Sequence, residues 1–247
     1  MPDNTSWLLN PRVFRTVESL NRRFSQVGTA PFIATDRFPW VKGVESATAD
    51  IVRELKAIQR TIEIPAFQTI SREQEEITRD DRWKTFFLYG LGNRNAENCG
   101  RCPATDAAVR RIPGMKTAMF SILSPGKKIP PHRGPYNGIL RYHLGLVVPE
   151  PTLCAIRVGH ETRNWAVGSS LLFDDTYEHE VTNDSTHERV VLFVDIKRPL
   201  HFPMSRVNES MLEAIRRSPF VTEAEQNLLR FNAKQRVAAA MRHEGAS

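Results

Sequence analysis

Two histidines 47 residues apart lie in β-rich stretches of this 247-residue chain: His132 in IPPHRGPYNGILRYHLGLVVPEP (residues 129–151) and His179 in GSSLLFDDTYEHEVTNDSTHERVVLFVDIKRPL (residues 168–200). Neutral imidazole suits iron, and the open facial sites of non-haem Fe(II) oxygenases use two histidines and one carboxylate. That carboxylate normally sits two residues after the first histidine, where this chain has Gly134. Either water completes the coordination, or one of Asp174, Asp175, Glu178 and Glu180 approaches from elsewhere. Arg189 is the third element. A strand that leaves His179, turns through Asn183-Asp184-Ser185 and returns along Arg189–Val194 brings Arg189 back toward the mouth of a barrel. A buried arginine there grips a carboxylate bidentately, as lysine cannot. The distal carboxylate of 2-oxoglutarate fits that grip, with its 2-oxo acid end chelating the metal.

Each residue alone has a structural reading. A lone histidine in a β-rich chain is usually part of the packing, His143 in LRYHLGL reads as a core histidine, and Arg189 by itself could be a surface strand arginine. Two histidines and a correctly placed arginine in strand-like segments together favour the metal site.

Three zones position these residues. Residues 1–80 read as an interrupted helical region packed on the core. Ala47, Ile51, Leu55, Ile58 and Ile62 recur at spacings of three and four, the mark of an amphipathic helix that Pro65 stops. Ser71 and Gln74 then look like the capping box of the next helix. Residues 81–200 change to short β-rich segments (FFLYGLG, KTAMFSIL, ILRYHLGLVV, CAIRVG, SSLLFDD, RVVLFVDI) separated by turn residues, as in a double-sheet jelly roll. Residues 201–247 turn helical again, with Leu212, Ile215, Leu228 and Leu229 expected to pack on the barrel. The three zones are expected to form one compact domain.

From about Trp83 to Pro199 the chain resembles the aspartyl/asparaginyl β-hydroxylase family of Fe(II)/2-oxoglutarate oxygenases. The matching segments are FSILSPG, PPHRGPYNGILRYHLGLVVP, IRVG, W-x-x-G-x-x-x-x-FDD-x-x-x-HE and R-x-x-L-F-x-D-x-x-RP. The resemblance implies a mainly β, cupin-like double-stranded β-helix, and members lacking the carboxylate ligand make Gly134 an expected feature. It implies Fe(II) on His132 and His179, with 2-oxoglutarate and O2 as cosubstrates giving succinate and CO2. Arg189 would pair with the distal carboxylate of 2-oxoglutarate, with Ser121 and His143 also touching it. Arg141 would help hold a substrate carboxylate, and Asp175 would orient a water or ligand beside the metal.

Two departures bear on the substrate. Protein-hydroxylating relatives carry an arginine where this chain has Ile139, and a glutamine in the stretch that here reads Trp83-Lys84-Thr85. HRGPYNGILRYHLGL and DIKRPL also resemble the bacterial branch that hydroxylates lipid A acyl chains. A small or peptidyl aspartyl-type substrate ranks first on these grounds and an acyl chain second. A halogenase, with chloride in the position Gly134 leaves open, and a silent jelly-roll binding protein are the other classes.

The remaining features restrict function more loosely. The net charge of +6 comes with basic terminal regions, including Arg12, Arg15, Arg22, Arg23, Arg230, Lys234 and Arg236. These read first as solvated helix surface and second as a guide for an anionic substrate or membrane face. No aromatic-interleaved basic stripe suggests nucleic-acid binding. No apolar run approaches the roughly 18 residues of a membrane span. The N-terminus lacks signal-peptide features, and an odd count of three cysteines argues against a disulfide framework, so a cytoplasmic location is expected. Cys99 and Cys102 form a CxxC without a second pair, read first as a plain loop and second as a local redox or metal site.

Overall fold

A computed structural model describes residues 10–244. The helical N-terminal region holds α1 (Pro11–Arg23), α2 (Trp40–Ser46), α3 (Thr48–Thr61) and α4 (Phe67–Ile70). Then come β1 (Trp83–Gly90), β2 (Asn93–Arg94), α5 (Ala96–Arg101) and α6 (Pro103–Arg110). The barrel continues with β3 (Met115–Leu123), β4 (Lys128–His132), β5 (Ile139–Val147), β6 (Cys154–Val158) and β7 (Glu161–Asn164). It closes with β8 (Ser170–Phe173), β9 (His179–Asn183) and β10 (Arg189–Lys197), followed by α7 (Met204–Arg216) and α8 (Pro219–Glu244).

The strands form two antiparallel sheets, one of six in the order β2-β1-β3-β10-β5-β8 and one of four in the order β4-β9-β6-β7. This is the mainly β, cupin-like jelly roll with helices at both ends. Strand β10 shows how the sequence builds it. Val190, Leu192, Val194 and Ile196 point to the outer face and pack in one cluster with Ile51, Leu55 and Ile58 of α3. Val191 and Phe193 point the other way, into a second cluster with Ile156, Val158 and Val181 of the smaller sheet. A strand between two neighbours and covered on both faces must be apolar at nearly every position, and period two then assigns each residue to a layer. The same parity turns Arg189 and Asp195 of β10 inward. On β5, Leu140, Tyr142 and Leu144 lie in the outer cluster, so Arg141 and His143 also turn inward. Inward-facing Ser121 of β3 alternates with Phe120 and Ile122 in the same way.

Several expectations need correcting. Segment β4 contains Pro130 and Pro131, yet it is a strand, and it can be one because it lies at the edge of the smaller sheet, where a missing N–H is tolerated. Strand β9 does not return as a hairpin into β10; the two belong to different sheets. The Asn183 side chain shapes that crossover, donating to the carbonyls of Leu123 (3.0 Å), Ser124 (3.0 Å) and His187 (2.9 Å). Ser71 caps no helix with its side chain, and residues 72–76 form only a short 3-10 turn. Cys99 and Cys102 are in no loop: Cys99 lies within α5 and Cys102 at its junction with α6, both fully buried. Burial pushes their thiols up to about 11 and about 12. Inert packing cysteines have that character, and redox or metal-binding ones do not. In the C-terminal helices Leu212 is buried as expected, whereas Leu229 is 63% exposed.

The loop between β8 and β9 is held by an ion pair with no solvent exposure on either side chain, Arg198 with Asp174. Asp174 also accepts from the Thr176 backbone N–H (3.1 Å) and hydroxyl (2.6 Å), while Arg198 donates to the Asn137 carbonyl at 2.6 Å and the Gly28 carbonyl at 3.2 Å. The pair thus ties three loops beside the histidines into one unit. Asp174→Ala leaves Arg198 charged and buried, and is expected to cost about 3–5 kcal/mol. Urea denaturation checks this, and a loss below about 1 kcal/mol would show that the loops hold without the pair.

Candidate active site

His132 ends β4 and His179 begins β9, and the two residues face each other across the ladder. Their rings lie 4.1 Å apart between centroids, inclined by 51°. Each ring is fixed from behind by a carbonyl two residues earlier in the chain. Nδ1 of His132 is 2.8 Å from the Pro130 carbonyl, and Nδ1 of His179 is 3.0 Å from the Tyr177 carbonyl. A carbonyl can only accept, so Nδ1 carries the proton on both rings, and each Nε2 presents a lone pair. Burial keeps the rings neutral: it lowers the His132 pKa and brings His179 down to about 3. Two neutral, oriented imidazoles with free Nε2 atoms fit a divalent metal.

No third His, Cys, Asp or Glu joins them in a metal-holding group among the described residues. The four carboxylates considered from sequence are accounted for: Asp174 is bound to Arg198, and Glu178 and Glu180 pair with Arg157 at 3.2 Å and 2.6 Å. Asp175 lies over Gly134. A Cβ placed on Gly134 would fall 2.1 Å from Asp175 Oδ2, and the Gly134 N–H donates to the Asp175 carbonyl at 2.7 Å. Glycine is therefore required by space, because the Asp175 carboxylate fills the volume a side chain would take. Burial pushes Asp175 up to about 6, against the nearby Arg141 guanidinium, which lies 2.9 Å away.

Beyond the histidines, between the sheets, lies a cluster of polar groups without partners. Arg189 is 1% exposed, and its Nε and Nη1 have no hydrogen-bond acceptor. Burial lowers its pKa to about 9, and it faces no carboxylate; its guanidinium lies over the Trp165 ring at 4.5 Å. Trp165 Nε1 and both ring nitrogens of buried His143 are also unpartnered. His143 stacks on Trp165 at 5.9 Å and meets Phe173 edge-on at 5.0 Å, and Phe173 in turn lies 6.1 Å from His179. Ser121 is buried nearby and accepts from Trp83 Nε1 at 3.0 Å. Unpaired buried polar groups are costly and rare, and this many together mark a place built for a polar ligand. An unpaired arginine makes that ligand an anion.

Sequence reasoning thus named His132, His179, His143, Arg189, Asp175 and Ser121, and they all face the space between the sheets or its rim. Arg141 is there too, but it is engaged: it lies between Asp175 and Asp195 (Nε to Oδ1, 3.1 Å) and over the Phe193 ring at 4.3 Å. The residues missed were Trp165, Phe193, Asp195 and Arg198. Asp195 and Arg198 stood in the D-x-x-R-P stretch, and the buried strand pattern signalled Phe193. Trp165 stood as the tryptophan of the W-x-x-G stretch, but its place under Arg189 depends on the closing of the barrel.

Residues 45–199 match the family model described as aspartyl/asparaginyl beta-hydroxylase. The chain is 48% identical over 212 residues to an ornithine lipid ester-linked acyl 2-hydroxylase of Rhizobium tropici, spanning 85% of this chain and 75% of that protein. It is 32% identical over 180 residues to the aspartyl/asparaginyl beta-hydroxylase of Homo sapiens, spanning 68% of this chain and 24% of that protein. It is 37% identical over 134 residues to the human aspartate beta-hydroxylase domain-containing protein 2, covering 49% of this chain and 35% of that one. A barrel with paired histidines at its rim and a family match across that barrel lead to one conclusion: the chain belongs to the aspartyl/asparaginyl β-hydroxylase family.

Proposed function

We propose that the protein is an Fe(II)/2-oxoglutarate-dependent hydroxylase acting on carbon 2 of an acyl chain ester-linked in a membrane lipid. The observation that carries the cofactor reading is the unpartnered Arg189 guanidinium, buried behind two histidines whose Nε2 atoms are free. His132 and His179 would hold the iron, and Arg189, with His143 and Ser121, would hold the carboxylate end of 2-oxoglutarate. When bound, iron and cosubstrate supply the oxidising power to hydroxylate an unactivated C–H bond with O2, releasing succinate and CO2. The chain's own part is to bind, orient and exclude water. The Pro130 and Tyr177 carbonyls aim the imidazoles, Trp165 supports Arg189, and Phe173 and Phe193 make the adjoining wall apolar.

The acyl substrate moves ahead of the aspartyl one on two grounds. The relative named as an acyl 2-hydroxylase matches over most of both chains. Arg141, the expected grip for a substrate carboxylate, already has two carboxylates beside it. Hydroxylation is favoured over halogenation because the space above Gly134 holds the Asp175 carboxylate, a poor neighbour for chloride.

The test supplies Fe(II), 2-oxoglutarate and O2 with either a detergent-dispersed lipid bearing ester-linked acyl chains or an aspartyl-containing peptide. Succinate formed together with one added oxygen at acyl carbon 2, unaffected by chloride, is the expected result. Turnover of the peptide alone would overturn the acyl assignment, and a chlorinated product would overturn hydroxylation.

A further inference from the structure

Helix α8 packs on the body through Val221, Leu228 and Phe231, yet its second half carries further apolar residues on the outward side. It is fastened to the body by polar groups: Asn227 donates to the Ile70 carbonyl, Asn232 to Asn98 and Gln235 to Glu63, each at 3.2 Å, and Arg236 pairs with Glu97. Three others of its apolar residues, Leu229, Val237 and Met241, stand 63%, 55% and 67% exposed. At 100° per residue these three, with Ala233 and Ala240, fall in one arc. Arg230 lies within that arc, between Val237 and Met241, and Lys234 at its edge, both exposed and without an ion-pair partner among the described residues. From Leu229 to His243 the sequence carries Arg230, Lys234, Arg236 and Arg242 and no acidic residue.

An exposed apolar stripe carrying unpaired long cationic side chains matches the boundary between anionic lipid headgroups and acyl chains, because such side chains can reach up to phosphate while the apolar residues enter. It matches a second copy of itself poorly, because two such faces would bring cations together with no acid between them. No helix among the described residues is long and apolar enough to cross a membrane, so contact of this kind would be with the surface. We propose that the outward face of α8 seats the enzyme on an anionic bilayer surface. Leu229, Val237 and Met241 enter the interface while Arg230 and Lys234 lie at phosphate level. This rests on the reading that the substrate is a membrane lipid, and it explains how an enzyme of that kind reaches its acyl chain.

The test is co-sedimentation of the full chain with substrate-free vesicles of phosphatidylcholine alone, or mixed equally with phosphatidylglycerol, at low and high salt. Binding to the mixed vesicles should exceed binding to phosphatidylcholine by about tenfold or more, and salt should weaken it. The triple variant Leu229→Gln, Val237→Gln, Met241→Gln should lose about tenfold or more of that binding while keeping its turnover of detergent-dispersed lipid. Arg230→Gln with Lys234→Gln should remove the preference for phosphatidylglycerol. Wild type that stays in the supernatant, or a triple variant that sediments as wild type does, overturns the proposal. So does a dimer that falls apart in the triple variant while neither form binds vesicles. The vesicles contain no substrate, so a failure of the acyl hydroxylase reading would appear only in the detergent assay.

Discussion

Arg189→Met is expected to make the protein more stable and nearly abolish its use of 2-oxoglutarate. Burial without a carboxylate destabilises the Arg189 charge enough to bring its pKa down to about 9. Methionine fills similar volume, keeps contact with Trp165 and removes the desolvated charge, the kind of replacement that often stabilises. Each kcal/mol gained raises Tm by about 2–4 °C in a chain of this size. The cosubstrate response should move the other way. With a redox-inert divalent metal present, 2-oxoglutarate at a hundred times its Kd stabilises wild type by about 2.7 kcal/mol, and the variant should show almost none of that shift. Thermal melts of both forms with and without 2-oxoglutarate decide the matter. A variant that melts earlier and still responds to cosubstrate would mean Arg189 is a structural arginine.

Gly134→Ala is expected to be far more damaging than a methyl group at a half-buried loop position would suggest. The new Cβ would fall within 2.5 Å of all three atoms of the Asp175 carboxyl group. The carboxylate must move, and with it the pairing to Arg141 and the loop that delivers His179. Overpacking of this kind costs about 1–3 kcal/mol, and a displacement of about 1 Å beside reacting atoms costs about a hundredfold in rate. Gly134→Ala combined with Asp175→Ala should be less harmful than the two single effects added, because the second change removes what the first collides with. The coupling expected between touching residues is about 0.5–3 kcal/mol. Strict additivity in both stability and rate would show that Asp175 is not what keeps this position glycine.

The strands and the histidine pair were legible in the sequence for identifiable reasons. Central strands such as β10 are covered on both faces and so consist of almost unbroken Val, Leu, Ile and Phe, and the two histidines stood in stretches that adjoin such segments. Strand β4 was hidden because Pro130 and Pro131 mask an edge strand, and β7 because Glu161–Asn164 faces solvent and carries no apolar alternation. The Asp174–Arg198 pair was invisible because its partners are 24 residues apart and joined only by the closing of the barrel. The exposed apolar residues of α8 escaped for a related reason. Periodicity shows that Leu229 and Val237 share a face, but the protein body could not be seen from sequence to lie on the other one.

The most direct test of the central claim is an anaerobic titration of the metal-free protein with Fe(II) and then 2-oxoglutarate, followed through the visible metal-to-ligand charge-transfer band. The band should appear in wild type, be absent in His179→Ala and require far more 2-oxoglutarate in Arg189→Ala. A folded wild-type protein that binds Fe(II) but develops no band, or a band unchanged in both variants, would contradict the assignment of His132, His179 and Arg189 to iron and cosubstrate.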